Sequence, residues 1–402
     1  MPRRPVTIRV TMPADGDSPP REDRSSVRPM ARERKLRVAV VFGGRSAEHE
    51  ISILSARFIV ESLNREKFDP VLIGIDKSGR WHLQEEALLL GSARDPRLVK
   101  LNQAMPDVAL AAHPLPSGEA ALAIEGSGQA AIDVVFPVLH GPMGEDGSVQ
   151  GLLELAGVPY VGSGVLGSAV GMDKDVMKRL LEQAEIPIVR HVTVRHAAWR
   201  KGNEEIIAQC EELGSPVFVK PANLGSSVGV RRAKTRDELV AAIDHAFEFD
   251  TKAIIEEAVV GVREIECAVL GDEDPIASIP GEIVVGHEDG FYSYAAKYID
   301  EHGAKIRIPA ELTAAQASSV QLLALQTFRA LEGSGLARVD FFLSQDGRLF
   351  VNEINTLPGF TAISMYPKLW ETSGIPARDL VERLIEIAMA RGKRRSQLRT
   401  TA

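Results

Sequence analysis

The sequence predicts an α/β protein whose C-terminal part turns to α+β. Three observations carry that expectation. They are a strand, glycine turn, helix, strand succession from residue 37, a small-residue loop with Lys220 at its base, and an acid-bearing hairpin around Asp346-Gly347. The first is the grammar of a parallel sheet whose sites open at the carboxyl ends of its strands. The other two belong to antiparallel ribbons. At 402 residues the chain can bury a large core, and such a length divides into about two to three domains.

Taken in order, Arg37–Phe42 reads as a buried strand, followed by Gly43-Gly44 and a helical pattern over Glu48–Asn64. Pro70–Ile75 is a second strand and Asp133–Leu139 a third, reached after a polar region, about residues 76–131, in which no element is read. Gly141–Gly147 punctuates that strand, and Gln150–Ala156 and Asp173–Gln183 are helical. Pro216–Lys220 and Val228–Arg232 then read as a hairpin joined through Pro221–Ser227, with Ala253–Glu256 and Glu264–Leu270 as further strands. A helix over Ala314–Leu331 leads to the hairpin Ala337–Leu343 and Leu349–Asn355, and a helix over Ala377–Ala390 closes the fold. Residues 1–35 are rich in Arg, Pro and Asp without any period, so they read as a disordered extension; translation from Met30 is a further reading. Arg391–Arg399 reads as a solvated basic tail. No internal repeat of fixed period is present.

The formal net charge of −8 argues against a nucleic-acid-binding body. No apolar run approaches the ~20 residues needed to span a bilayer. Cys210 and Cys267 show neither ligand nor disulfide spacing, as expected of reduced thiols in a cytoplasmic protein.

The last hairpin carries the strongest chemical inference. A two-residue turn at Asp346-Gly347 sets Gln345 opposite Arg348, Phe342 opposite Val351, Asp340 opposite Glu353 and Arg338 opposite Asn355. Alternation then puts Arg338, Asp340, Glu353 and Asn355 on one face. Directly opposed side chains stand roughly 5 Å apart, so two carboxylates there call for a cation or a shared proton. An all-oxygen Asp/Glu/Asn set suits Mg²⁺, and Arg338 offers a fork for a phosphate or oxyanion. The same residues also fit a solvated face with Arg338 neutralising the acids. In the loop after Lys220, Gly225-Ser226-Ser227-Val228-Gly229 would let backbone N–H groups approach phosphate oxygens, although such a stretch can simply turn.

Together these segments resemble the ATP-grasp superfamily, and within it the D-alanine–D-alanine ligases. The carriers are Gly43–Ser52, His140–Gly147, Met172-Asp173-Lys174, Lys220–Gly229, Phe291–Tyr298, Arg338–Asp340 and Asn352–Thr361, in order across roughly residues 36–390. The resemblance implies an N-terminal α/β substrate domain (36–162), a central domain (163–257) and a C-terminal catalytic domain (258–390), the latter two sandwiching ATP. It implies ATP as co-substrate and two Mg²⁺ (or Mn²⁺) ions on Asp340, Glu353 and Asn355. Lys174, Lys220 and Lys297 would contact the nucleotide, with Ser226, Ser227 and Val228 covering the phosphates. Glu256, Glu257, Ala258 and Val259 would meet adenine, and Glu264 the ribose.

The implied reaction joins two D-alanines through a D-alanyl phosphate. Glu48 would anchor the first ammonium and His140 tune the field near its carboxylate. Arg338 and the Gly359 N–H would hold the oxyanion, and Ser364 the second carboxylate. Gly286–Arg307 would be a closing lid, with Tyr298 joining Glu48 and Ser226. Cytoplasmic location and a homodimer are further expectations, with no nucleic-acid partner and no membrane insertion. His49 is expected at an exposed helix start.

Overall fold

Val38–Phe42 are all buried, a continuous apolar run of the kind required of a strand covered on both faces. In the computed structural model, which describes residues 34–91, 95–111, 120–126, 128–285 and 304–399, this run forms β1 (Leu36–Gly43). Helix α1 (His49–Ser62) crosses over to β2 (Phe68–Ile75), which is parallel to β1, and β3 (Trp81–Gln84) returns antiparallel. The region left without elements by the sequence holds β3, helix α2 (Glu86–Gly91) and a separate antiparallel sheet of β4 (Val108–Leu110), β5 (Ala120–Ile124) and β6 (Gly128–Ile132). Strands this short show too little periodicity to be read. Next comes β7 (Val134–Val138), parallel to β1 on its other side, completing the order β3-β2-β1-β7. Helices α3 (Ser148–Leu155) and α4 (Val165–Met172) follow.

Asp173 caps α5 (Lys174–Gln183), its carboxylate accepting from the Asp175 and Val176 N–H groups at 3.1 Å each. The central sheet has the order β10-β9-β11-β8, antiparallel throughout, from β8 (His191–Arg195), β9 (Val217–Pro221), β10 (Arg231–Ala233) and β11 (Lys252–Glu257). Helices α6 (His196–Trp199), α7 (Glu204–Glu211) and α8 (Arg236–Ala246) enclose its core around Val217, Val219 and Ile255. The expected hairpin is β9 and β10, although its second strand starts later than expected, at Arg231.

The C-terminal sheet is built on β12 (Arg263–Gly271), with β13 (Ile276–Ala277), β14 (Gly281–Val285) and β15 (Ala304–Arg307) on one side. Helix α9 (Ala314–Ala330) packs on this sheet behind a Thr313/Gln316 capping box. On the other side of β12 lie β16 (Gly335–Leu343) and β17 (Leu349–Asn355). Helices α10 (Met365–Thr372) and α11 (Ala377–Ser396) complete the fold.

The β16–β17 register corrects the sequence reading in an instructive way. The turn is one residue longer than expected: Ser344 N–H donates to the Arg348 carbonyl, so Gln345-Asp346-Gly347 form the loop, with Gly347 at φ +84°. Phe342 therefore pairs with Phe350, not Val351. An irregularity after Asp340 leaves Asn352 without a counterpart and shifts the register back, so that Asp340 meets Glu353 and Arg338 meets Asn355 as expected.

The basic tail is a second correction. Helix α11 runs on through Ser396. Arg391 is half-buried, donating to the Gly162 carbonyl (2.5 Å), Ser334 Oγ (2.6 Å) and the Tyr160 carbonyl (2.9 Å), with its guanidinium 4.7 Å from the Tyr160 ring centre. Arg394 pairs with Asp272, and Arg395 with Glu154 at 2.6 Å. The disordered reading of residues 1–33 lies outside the described residues.

Candidate active site

A cleft opens between the central and C-terminal sheets, and each wall is the product of a local pattern. On β12, Glu264 and Glu266 alternate with the buried Ile265 and Cys267. Both acids line the cleft, as do Asp340 and Phe342 of β16, Asn352 and Glu353 of β17, Lys220 of β9, Lys174 of α5 and the Leu224–Val228 loop. The end of β11 closes one end with Glu256, Glu257 and Val259. Ala258 is turned into the backbone there, its N–H donating to the Pro216 carbonyl.

Asp340 and Glu353 are direct cross-strand partners, and Glu266 is the partner of Asp340 on the other side. Arg338 forks onto Asp340 (2.7 and 2.8 Å) and also reaches Glu266 (2.9 Å), while Asn355 Nδ2 donates to Asp340 (3.0 Å). This is the neutralising arrangement that the residues alone left open. It does not exclude a cation: the opposed carboxylates and the Asn355 amide form an all-oxygen set on one face, which fits Mg²⁺ in the chemistry of its donors. Among the described residues no group of three or more His, Cys, Asp or Glu side chains could hold a metal ion by itself.

The cations are arranged around one buried acid. Lys220 Nζ stands 2.6 Å from Glu256 and 3.3 Å from Asn352 Oδ1, and Lys178 Nζ stands 3.0 Å from the other Glu256 oxygen. Burial pushes the Glu256 carboxyl up, but Lys178 and Lys220 outweigh it and hold it at about 2. Lys220 is raised despite its own burial, chiefly by Glu256. Lys178, with a side chain 0% exposed, is pulled below its usual value by burial, with Glu256 opposing. Glu256 is thus the fixed charge of the group. Lys174 Nζ meets Glu353 (3.3 Å) and the Leu224 carbonyl (2.7 Å).

Ser226 (φ +53°) and Ser227 (φ +58°) hold the left-handed conformation that bends the loop over the cleft. Ser226 Oγ donates to Glu48 across 2.5 Å, joining the loop to the start of α1. His140 is buried beside them. Its Nδ1 donates to the Leu357 carbonyl (3.1 Å), and its Nε2 is buried with no hydrogen-bond partner. Burial lowers the His140 imidazole, but Glu145 (3.8 Å) and Glu48 raise it further. Gly359 lies against Ser364, whose Oγ accepts from the Thr361 N–H at 3.0 Å.

The structure therefore brings together Lys174, Lys220, Ser226, Ser227, Val228, Glu256, Glu257, Val259, Glu264, Asp340 and Glu353 on one cleft. Glu48 joins them through Ser226, and Asn355 and Arg338 through Asp340. Lys297, Tyr298 and the lid through residue 303 lie outside the described residues. His49 is a correction: it is buried, with Nδ1 donating to the Gly44 carbonyl at 2.9 Å, because the Gly43-Gly44 turn folds over it. Glu145, Lys178, Glu266 and Asn352 were not foreseen. Alternation with Glu264 marks Glu266; the others depend on tertiary placement and a bulge.

Comparison with known proteins gives matches over most of the chain. A family model described as D-ala D-ala ligase N-terminus matches residues 37–163, and one described as D-ala D-ala ligase C-terminus matches residues 180–386. The chain is 49% identical to a D-alanine--D-alanine ligase of Oceanobacillus iheyensis, over 91% of this chain and 99% of that one. It is 47% identical to D-alanine--D-alanine ligase A of Escherichia coli K12, over 91% and 99%. Among solved structures, the D-alanine-D-alanine ligase from Coxiella burnetii superposes with a TM-score of 0.78 at 37% identity, covering 90% of this chain and 98% of that one. The VanG D-Ala:D-Ser ligase from Enterococcus faecalis gives 0.76 at 36% identity, covering 88% and 100%.

Proposed function

The chain belongs to the D-alanine–D-alanine ligase family, and from that premise we propose how its cleft performs the reaction. The protein is a ligase of ATP-grasp fold that joins two D-alanine molecules with conversion of ATP to ADP and phosphate, giving the dipeptide of peptidoglycan precursors. The nucleotide occupies the cleft between the two antiparallel sheets, with adenine at Glu256–Val259, the ribose at Glu264 and the polyphosphate toward Lys174, Lys220 and the Ser226–Val228 loop. Asp340, Glu353 and Asn355 would hold two Mg²⁺ or Mn²⁺ ions, which supply charge for the transferring phosphoryl group.

Glu48 anchors the ammonium of the first D-alanine, and the unpartnered His140 Nε2 supports a place for its carboxylate nearby. Arg338 and the Gly359 N–H stabilise the tetrahedral oxyanion, and Ser364 receives the second carboxylate. Lys297, Tyr298 and the 286–307 segment close over the site and keep water from the acyl phosphate. The observation that carries this reading is the convergence of Asp340, Glu353 and Lys220 on one cleft. The test is phosphate release from ATP that requires D-alanine and is not supported by L-alanine; release independent of either amino acid would sink it. D-lactate or D-serine supplied beside D-alanine tests the second-substrate preference.

Four sheets, two of them within the first segment, support a division into 36–162, 163–257 and 258–390. No helix among the described residues is long and apolar enough to cross a membrane. A cytoplasmic homodimer is part of the proposal, and light scattering at the monomer mass of 43.6 kDa would overturn it.

A further inference from the structure

Lys178 is a lysine that the reaction does not use and the cleft does not expose. Its side chain is wholly buried on α5, one turn after Lys174, and its Nζ has no hydrogen-bond partner, standing 3.0 Å from Glu256 in an ion pair. Glu256 lies between two ammonium groups, Lys178 behind it and Lys220 on the cleft side. A buried cation without a task is costly, since removing it from water outweighs most single attractions. Two lysines and one carboxylate leave a net charge of +1. Without Lys178 the remaining pair, Lys220 with Glu256 at 2.6 Å, would be neutral.

We propose that Lys178 is a positioning residue for the nucleotide polyphosphate, neutralising Glu256 from behind so that the charge of Lys220 remains available to the phosphates. Helix α5 holds Lys178 in place from both sides. Met177 and Leu181 of the same helix are packed in the core of the C-terminal sheet. Asp173 and Asp175, at its start, bind Lys252 of β11 at 2.5 and 3.0 Å. Lys252 and Glu256 are four residues apart on β11, so both point to the face that α5 covers. The proposal rests on the nucleotide reading of the cleft.

The test compares binding of ATP, ADP and adenosine to the full chain by calorimetry, in wild type and four variants. Lys178→Met is expected to weaken ATP and ADP by about tenfold or more, the scale of one charge-assisted contact, while adenosine stays within about twofold. Lys178→Arg restores most of the loss. Glu256→Gln, which leaves both lysines uncompensated, raises the ATP-to-adenosine preference above wild type. The double variant Lys178→Met/Glu256→Gln returns it to the wild-type value, and this pair keeps the test open if Lys178→Met alone fails to fold. Equal losses for all three ligands, or a double variant no better than Lys178→Met, overturn the proposal. A wild-type protein that binds no ATP overturns the cleft reading itself.

Discussion

Asp340 and Glu353 face each other across two strands, and that closeness sets both their use and their cost. Removing one charge relieves repulsion from Asp340 but also loses the Lys174 ion pair at 3.3 Å, so Glu353→Gln is expected to change thermal stability little. D-alanine-dependent phosphate release should nevertheless fall by about 100-fold or more, as for loss of one electrostatic contact in a transition state. Retained activity in Glu353→Gln would remove the metal role. Glu256 yields a pH prediction. Its carboxyl is held at about 2 against an ordinary 4.5, so its stabilising contribution is complete above 4.5 and disappears as pH falls toward 2. The stability difference between wild type and Glu256→Gln should therefore be constant from neutral pH to about 5 and narrow below that. The hairpin acids were legible because alternation and a turn suffice to pair them. Lys178 was not, because a buried ion pair between a helix and a strand far away in sequence leaves no local period.

At the scale of elements, the hairpin shows two compensating irregularities. The turn is longer than its Asp-Gly dipeptide suggests, and the bulge at Asn352 reverses the resulting slip. Asn352 is itself a cleft residue and contacts Lys220, so the extra residue also adds a side chain to the site. Deleting Asn352 should remove the bulge and continue the ladder in the register of the turn, which still sets Glu353 opposite Asp340 and Asn355 opposite Arg338, because the lost residue and the one-residue slip cancel. The expected outcome is a folded protein that keeps ligase activity but binds ATP more weakly for want of the Asn352 contact to Lys220; a folded deletion variant without activity would show that the bulge also aims Glu353. Helix α5 behaves similarly. Asp173 both caps the helix and binds Lys252, so Asp173→Ala should cost more than the roughly 1 kcal/mol of a lost cap. A denaturant titration measures it.

Across the molecule, the parallel grammar of the N-terminal sheet and the two hairpins were readable from local pattern, while the joints between them were not. Arg391 is the clearest case. In sequence it belongs to a run of basic residues; in the fold it satisfies the Tyr160 and Gly162 carbonyls beside the N-terminal sheet and Ser334 at the start of β16. Arg391→Leu leaves those acceptors buried without a donor and should destabilise by about 3 kcal/mol. Lysine, lacking the fork, should recover only part of that. An unchanged melting temperature in Arg391→Leu would show that water replaces the guanidinium.

The same end of the chain has a consequence for biosynthesis. One face of the first sheet, with Val38, Phe42 and Phe136, shares its core with Tyr366, Trp370, Leu380 and Leu384 of α10 and α11. On the ribosome those strands emerge long before their cover does. The nascent chain must therefore carry an apolar face covered only in part, by α1, through most of its translation, a stage at which chaperone binding would matter more than at any later one.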